Sequence, residues 1–311
     1  MCGIVGLFAK SSRVEEKFGQ HLSAMLIEMA DRGPDSAGVA VYRNGVPEGW
    51  TKVTLCHRQD PAYDWDVLAA QVSAWLGETV PAERRGSHAV LRVPAALEKL
   101  RPWLDANHPE IRLVSAGTKI EIFKEKGHPR DVSKSFRLED INATHGLGHT
   151  RMATESAVTT AHSHPFSTGL DLCLVHNGSL SNHNRLRMVL ERRGIEFQTD
   201  NDSEVAAGYL TWRLREGDDL ETALKAASRD LDGFYTFAVG TRDGFAVMRD
   251  PIACKHAVLA ETDEWVAMAT EFRAIAVLPG AEKAAVWEPQ PGRVYSWNRE
   301  GATVSAPEFA L

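Results

Sequence analysis

Apolar positions divide the 311-residue chain into runs of two kinds. The opening MCGIVGLF is a continuous apolar stretch and predicts a strand. Val14, Phe18, Leu22, Met25, Leu26 and Met29 then recur at the spacing of one helix face. DRGP closes that helix, because proline disfavours helical geometry at the residue before it. AGVAVY with the RNG turn reads as a second strand. From about 60 to 140 the texture differs. WDVLAAQVSAWLG predicts a helix stopping at Gly77, AVLRV a strand, ALEKLRPWLDA a helix and KIEIF an alternating strand, with no cluster of reactive side chains among them. LCLV predicts a strand running into HNG, and Leu186, Val189 and Leu190 a helix closing at Gly194. DSEVAAGYLTWRL predicts a helix that Asp202 is placed to cap. ETALKAASRDLDG is one more amphipathic helix with a terminal glycine. FYTFAVGTRDGFAVMRD, HAVLAE and EWVAMATE read as hairpins, the first with an Asp-Gly turn. Strands at both ends with helices between predict an α+β layered domain, since sheet faces and helix stripes must cover one another.

Composition narrows the function only by exclusion. A formal net charge of -7 lacks the basic footprint that nucleic-acid binding needs. No apolar run reaches the length of a membrane span, and the opening run is too short for a signal peptide and has no basic segment before it. Cys2, Cys56, Cys173 and Cys254 are scattered and form no CxxC pair, which suits a reducing cytoplasm without a disulfide framework.

Six of the twelve histidines fall between 145 and 183. The HSH at 162–164, read as a strand, places two imidazoles on one face, and Cys173 and His176 offer two further ligands. Against a metal site, Gly146 and Gly148 separate His145 from His149, and no acid stands in the general-base position of an HExxH pattern. No metal is expected. Asn177-Gly178 offers a carboxamide donor beside a backbone N–H, the parts of an oxyanion hole, or else a plain turn. Arg151 is a carboxylate clamp or a surface charge, and Asp202 an ammonium partner or an N-cap.

MCGIVG at the start, RGPDSAG at 32–38, GHTRMAT at 148–154, HP at 164–165, VHNG at 175–178 and TDNDSEV at 199–205 occur in this order. That series resembles the class-II glutamine amidotransferases, which are N-terminal-nucleophile (Ntn) hydrolases, and the likeness continues weakly into RDPIACKH and MATEFRAI. The resemblance implies a four-layer αββα sandwich. It also implies a single amidotransferase domain over residues 2–311, with the stretch at about 60–140 as an insertion. It implies that Cys2 becomes the first residue on removal of Met1, to which its small side chain is suited, and serves as nucleophile. The free α-amine, with an ordinary pKa of about 7.7–8.0, would be its base. By the same likeness Asn177 and Gly178 would stabilise the tetrahedral oxyanion. Arg151 would hold the α-carboxylate of glutamine and Asp202 its α-ammonium, with Thr154 near the carboxylate. Arg32 would order the surroundings of the nucleophile, and His164 would be structural. Glu155 departs from the pattern, since hexosamine-forming members often carry histidine there, and a carboxylate beside the carboxylate pocket is unfavourable unless it points away.

The chain ends shortly after its last hairpins, so no synthase domain is expected to follow. The likeness is then to the separate amidotransferase subunit of glutamate-synthase-like systems, N-methylglutamate synthase included. The expected activity is hydrolysis of L-glutamine to L-glutamate and ammonia without a cofactor, with the ammonia passing to a separate synthase subunit. Two other readings stay open: an Ntn amidohydrolase acting on another amide, and an idle subunit that regulates its partner.

Overall fold

The N-terminal apolar run forms strand Gly3–Ala9, which lies inside a seven-stranded sheet of the computed structural model, where residues 2–153 and 157–299 are described. The strand pairs antiparallel with Trp265–Ala269 on one side and His145–Arg151 on the other. Ser36–Tyr42 and Ile120–Lys126 complete one wing, and Val258–Glu261 and Ala285–Trp287 the other. A second, five-stranded sheet runs in the order Val294–Asn298, Gly244–Arg249, Gly233–Thr241, Leu172–Leu180, Phe166–Gly169.

Alternation along the first strand explains the layering. Ile4 and Phe8 point into the core between the sheets, with Tyr42, Leu147, Val175, Phe245 and Met268. Val5 and Leu7 point the other way, onto Phe18, Leu22 and Leu26 of helix Phe18–Glu28. With both faces covered, the strand reads as unbroken apolar sequence instead of alternating. On the far side, Leu174, Phe237 and Val239 meet Val205, Leu210 and Leu224 from helices Asp202–Arg215 and Leu220–Asp230. The result is the αββα sandwich.

Several elements differ from the sequence expectation. The helix expected through Val14–Met29 is two, Ser12–Glu16 and Phe18–Glu28, broken at Lys17. The N–H of Gly19 turns out to the carbonyl of Ile141 at 2.8 Å instead of continuing the first helix. Asn201, not Asp202, caps the Asp202–Arg215 helix, its Oδ1 accepting the Ser203 N–H at 2.9 Å. Gly233 begins a strand and does not end a helix; Leu231, in extended conformation, is the C-cap of Leu220–Asp230. The hairpin loop is Arg242–Asp243, and Gly244 already pairs with Thr241.

Thr51–His57, Ala82–Arg85, His88–Val93 and Ile111–Gly117 form a third sheet, which helices Trp65–Leu76 and Leu97–Asn107 cover with their own core of Val53, Leu55, Leu68, Val72, Leu91 and Leu100. The stretch at about 60–140 therefore divides. This module spans 51–117, whereas Ile120–Lys126 is hydrogen-bonded to Ser36–Tyr42 in the seven-stranded sheet. A buried ion pair, Lys52 Nζ to Glu121 Oε1 at 3.1 Å, and an Ala116–Leu170 bridge join the module to the sandwich. Among the described residues no helix is long and apolar enough to cross a membrane.

Candidate active site

Cys2 is half-buried, and two side chains from distant parts of the sequence converge on its carbonyl oxygen. Arg32 Nε donates at 3.1 Å and Asn177 Nδ2 at 3.3 Å. The strand start is pressed into place: a Cβ on Gly3 would come within 2.8 Å of both Met29 Cβ and Thr150 Oγ1, so only glycine fits. Arg32 extends the network by pairing with Glu271, which Arg273 Nε also meets at 2.8 Å. The hydrogen bond from Arg32, with the charge of Arg273, holds the Glu271 carboxyl below its ordinary range.

Asn177 and Gly178 lie inside strand Leu172–Leu180 and form no turn. Asn177 is buried and Gly178 exposed. Gly178 has a φ of 152°, and a Cβ there would stand 2.0 Å from the Phe234 carbonyl oxygen, so the position excludes other residues. Two residues on, the Leu180 N–H donates to Asp202 Oδ2 at 3.0 Å, which ties that carboxylate to the Asn177 strand. Arg151 belongs to the other sheet. Its strand pairs Thr150, the residue before it, with Gly3, the residue after Cys2. Arg151 is buried, and its Nη1 donates to the Ala157 carbonyl at 3.2 Å. Asp35 fixes the chain around it, donating its N–H to the Arg151 carbonyl at 3.1 Å and accepting the Ala153 N–H at 2.8 Å. Cys2, Arg32, Asn177, Gly178, Arg151 and Asp202 thus gather where the two sheets meet at one end. Thr154 and Glu155 lie outside the described residues.

The histidines take separate tasks. His162 and His164 are in a loop, not a strand, and face different partners: Asp200 Oδ1 at 2.9 Å for His162, Ser203 Oγ at 2.9 Å for His164. Cys173 points into the inter-sheet core, where burial raises its thiol pKa to about 11. No group of three or more His, Cys, Asp or Glu among the described residues is arranged to hold a metal. His164 stacks on His149 at 4.0 Å between ring centroids, and His149 Nε2 donates to the His176 carbonyl at 3.0 Å. Burial keeps all three of these rings neutral, depressing His149 to about 3 and lowering His164 and His176. Beneath the same loop, the ammonium of Lys124 reaches the carbonyls of Ser163 at 2.8 Å, Pro165 at 3.0 Å and Ala161 at 3.4 Å, and burial lowers its pKa to about 8.

Ser203, Glu271, Lys124 and Asp35 were not singled out from sequence. Ser203 and Asp35 sit within the ordered motifs TDNDSEV and RGPDSAG, and Glu271 within the weaker likeness at MATEFRAI, which are the available signal. Lys124 has none, since its strand reads only as alternating.

A family profile described as "Glutamine amidotransferase domain" matches residues 149–277. The "Glutamine amidotransferase-like protein GlxB" of Rhizobium meliloti is 54% identical over 303 residues, covering 97% of this chain and 100% of that protein. The glutamine–fructose-6-phosphate aminotransferase of Xylella fastidiosa is 34% identical over 149 residues, 47% of this chain but 24% of that protein. Among solved structures, glutamine phosphoribosylpyrophosphate amidotransferase from B. subtilis superposes with a TM-score of 0.61 at 20% identity, over 96% of this chain and 48% of that one, and so shares the fold. With a relative this similar along nearly its whole length, the chain belongs to the class-II glutamine amidotransferases, enzymes built on the Ntn-hydrolase sandwich.

Proposed function

We propose that the chain hydrolyses L-glutamine to L-glutamate and ammonia through a thioester on Cys2. The observation that carries this reading is the meeting of Asn177 with Cys2 across the two sheets, 3.3 Å from amide nitrogen to carbonyl oxygen. Once Met1 is removed, the α-amine of Cys2 takes the thiol proton, and sulfur attacks the side-chain carboxamide carbon of glutamine. Charge develops on the carboxamide oxygen. Asn177 has two amide N–H groups, one holding the Cys2 carbonyl and the second left for the oxyanion, where the Gly178 N–H joins it. The proton on the amine passes to the departing nitrogen, which leaves as ammonia. Water then cleaves the thioester to give glutamate and the free thiol.

The substrate's two ends supply the specificity. The guanidinium of Arg151 matches the α-carboxylate, with Thr154 beside it, and the carboxylate of Asp202 matches the α-ammonium. An amide blocked at either end would forgo one of these two matches. Arg32 fixes the start of the chain through the Cys2 carbonyl, and His164 is structural.

A diazo ketone analogue of glutamine should label the wild-type protein on Cys2 and leave Cys2→Ala unlabelled, as read by intact mass. Equal labelling of the two would overturn the nucleophile assignment. Asn177→Ala should lower kcat for glutamine by about 10²–10³-fold with a much smaller change in KM. A change confined to KM would remove Asn177 from the oxyanion site.

The ammonia, on this proposal, goes to a separate synthase subunit, as in the glutamate-synthase-like systems the motifs resemble. Glutaminase activity of the isolated chain should then be low and rise when the synthase co-purified from the native cell is added. Full activity that no partner changes would favour an amidohydrolase without transfer, and inactivity both alone and with the partner a regulatory subunit.

A further inference from the structure

We infer that Ser203 is the positioning residue that aims the Asp202 carboxylate at the substrate α-ammonium, with His164 and His176 holding its hydroxyl in that orientation. The inference rests on the reading of Asp202 proposed above.

Ser203 lies in the first turn of helix Asp202–Arg215 and is buried. Three groups surround its hydroxyl oxygen: His176 Nδ1 at 2.8 Å, His164 Nε2 at 2.9 Å and Asp202 Oδ1 at 3.2 Å. A serine hydroxyl has one proton and two lone pairs. An ionised carboxylate only accepts, so the one proton goes to Asp202. Both lone pairs are then left for the imidazoles, and each ring must donate. His164 is thereby fixed as its Nε2–H form and His176 as its Nδ1–H form. His149 follows the same logic, since its Nε2 faces the His176 carbonyl, which can only accept.

The remaining ring nitrogens agree with this assignment. His164 Nδ1, His176 Nε2 and His149 Nδ1 are buried, with no hydrogen-bond partner among the described residues. Each is the unprotonated nitrogen of a neutral ring, which burial favours. The charges facing the cluster are mixed. Asp202 pulls His176 toward protonation, and Lys255, Lys124 and Arg151 push the rings away from it.

Two N–H donors on one oxygen polarise its O–H bond toward the carboxylate beyond. The Leu180 N–H holds the other carboxylate oxygen. Of the roughly four acceptor positions on a carboxylate, two are filled by the protein and two are left for an ammonium group. His176 also precedes Asn177 directly in the strand.

The test compares glutamine with glutaramate, which has the same carboxamide and carboxylate but no α-amine. Ser203→Ala should raise KM for glutamine by about 10- to 100-fold, the worth of one hydrogen bond to a charged group, and leave kcat within about two-fold. kcat/KM for glutaramate should not change, which also reports that the variant is folded. Ser203→Thr, which keeps the hydroxyl, should restore the glutamine KM. Adding Ser203→Ala to Asp202→Asn should cost nothing further. Equal losses on both substrates, or none on either, would overturn the inference. If Asp202→Asn selectively impairs glutamine and Ser203→Ala does not, the inference alone falls. If Asp202→Asn affects both substrates alike, the reading of Asp202 falls and takes the inference with it.

Discussion

Replacing Cys2 with alanine is expected to lower glutamine hydrolysis by at least about 10⁴-fold while leaving the melting temperature nearly unchanged. The size of the loss follows from removing the nucleophile. The retention of stability follows from the contacts. Arg32 and Asn177 grip the backbone carbonyl of residue 2, which alanine keeps. The same inactivity is expected of chains that retain Met1, because their nitrogen at Cys2 is an amide and takes no proton near neutral pH. Mass analysis of separated active and inactive fractions checks both points, and hydrolysis by protein still carrying Met1 would overturn the mechanism. In the processed enzyme, kcat/KM should fall on the acid side with an apparent pKa near the ordinary α-amine range of about 7.7–8.0.

The second large effect concerns stability. Burial depresses His88 to about 3, His145 to about 4 and His149 to about 3, against an ordinary value of 6.5. Between 6.5 and about 4 the unfolded chain binds protons at these rings that the native state refuses. Stability therefore rises with pH through this window and is lost as pH falls. Each ring contributes about 1.4 kcal/mol per pH unit, and the three together about 4. Two units below 6.5 that approaches about 8 kcal/mol, within the range of an ordinary domain's whole stability of about 5–15. Cooperative acid unfolding is expected between about pH 4 and 5, followed by circular dichroism. His88→Gln should flatten the slope. Lys124 acts at the other end of the scale: lowered from 10.5 to about 8, it makes stability rise with pH between those values. A melting temperature that stays level from pH 7 to 4 would show that the native rings take up protons after all.

The apolar strands were legible because two-sided burial leaves an unmistakable run, as in Gly3–Ala9. Strand His145–Arg151 was not, since its glycines meet the neighbouring strands and helix Phe18–Glu28 too closely for larger residues; a Cβ on Gly148 would stand 2.8 Å from Val5 Cγ2 of strand Gly3–Ala9 and 3.1 Å from Leu26 Cδ1 of the helix. Strand Thr51–His57 is masked in the sequence for another reason. Lys52 reads as a surface charge, and its burial depends on Glu121 at 3.1 Å and the carbonyl of Arg43 at 2.6 Å, neither of them a neighbour along its strand. At the site, Asn177-Gly178 was ambiguous from sequence alone, because the same dipeptide serves turns. Its place within a strand depends on the pairing of Asn177 with Thr236 and Gly178 with Tyr235. Asn201 and Asp202 compete for one cap, and local rules favour either. Once Asn201 takes it, Asp202 is released for other work. Ser203 carried no local mark of its histidine partners, which come from residues 164 and 176.

The third sheet has a bearing on handling the protein. Its Ile111–Gly117 strand runs beside Phe166–Gly169, the outermost strand of the five-stranded sheet, and Ala116 bridges Leu170 there. An uncovered outer strand offers its unpaired amides to any other chain. Excising 51–117 to obtain a smaller catalytic core would leave that strand's edge open, and the trimmed protein would precipitate by strand-to-strand association.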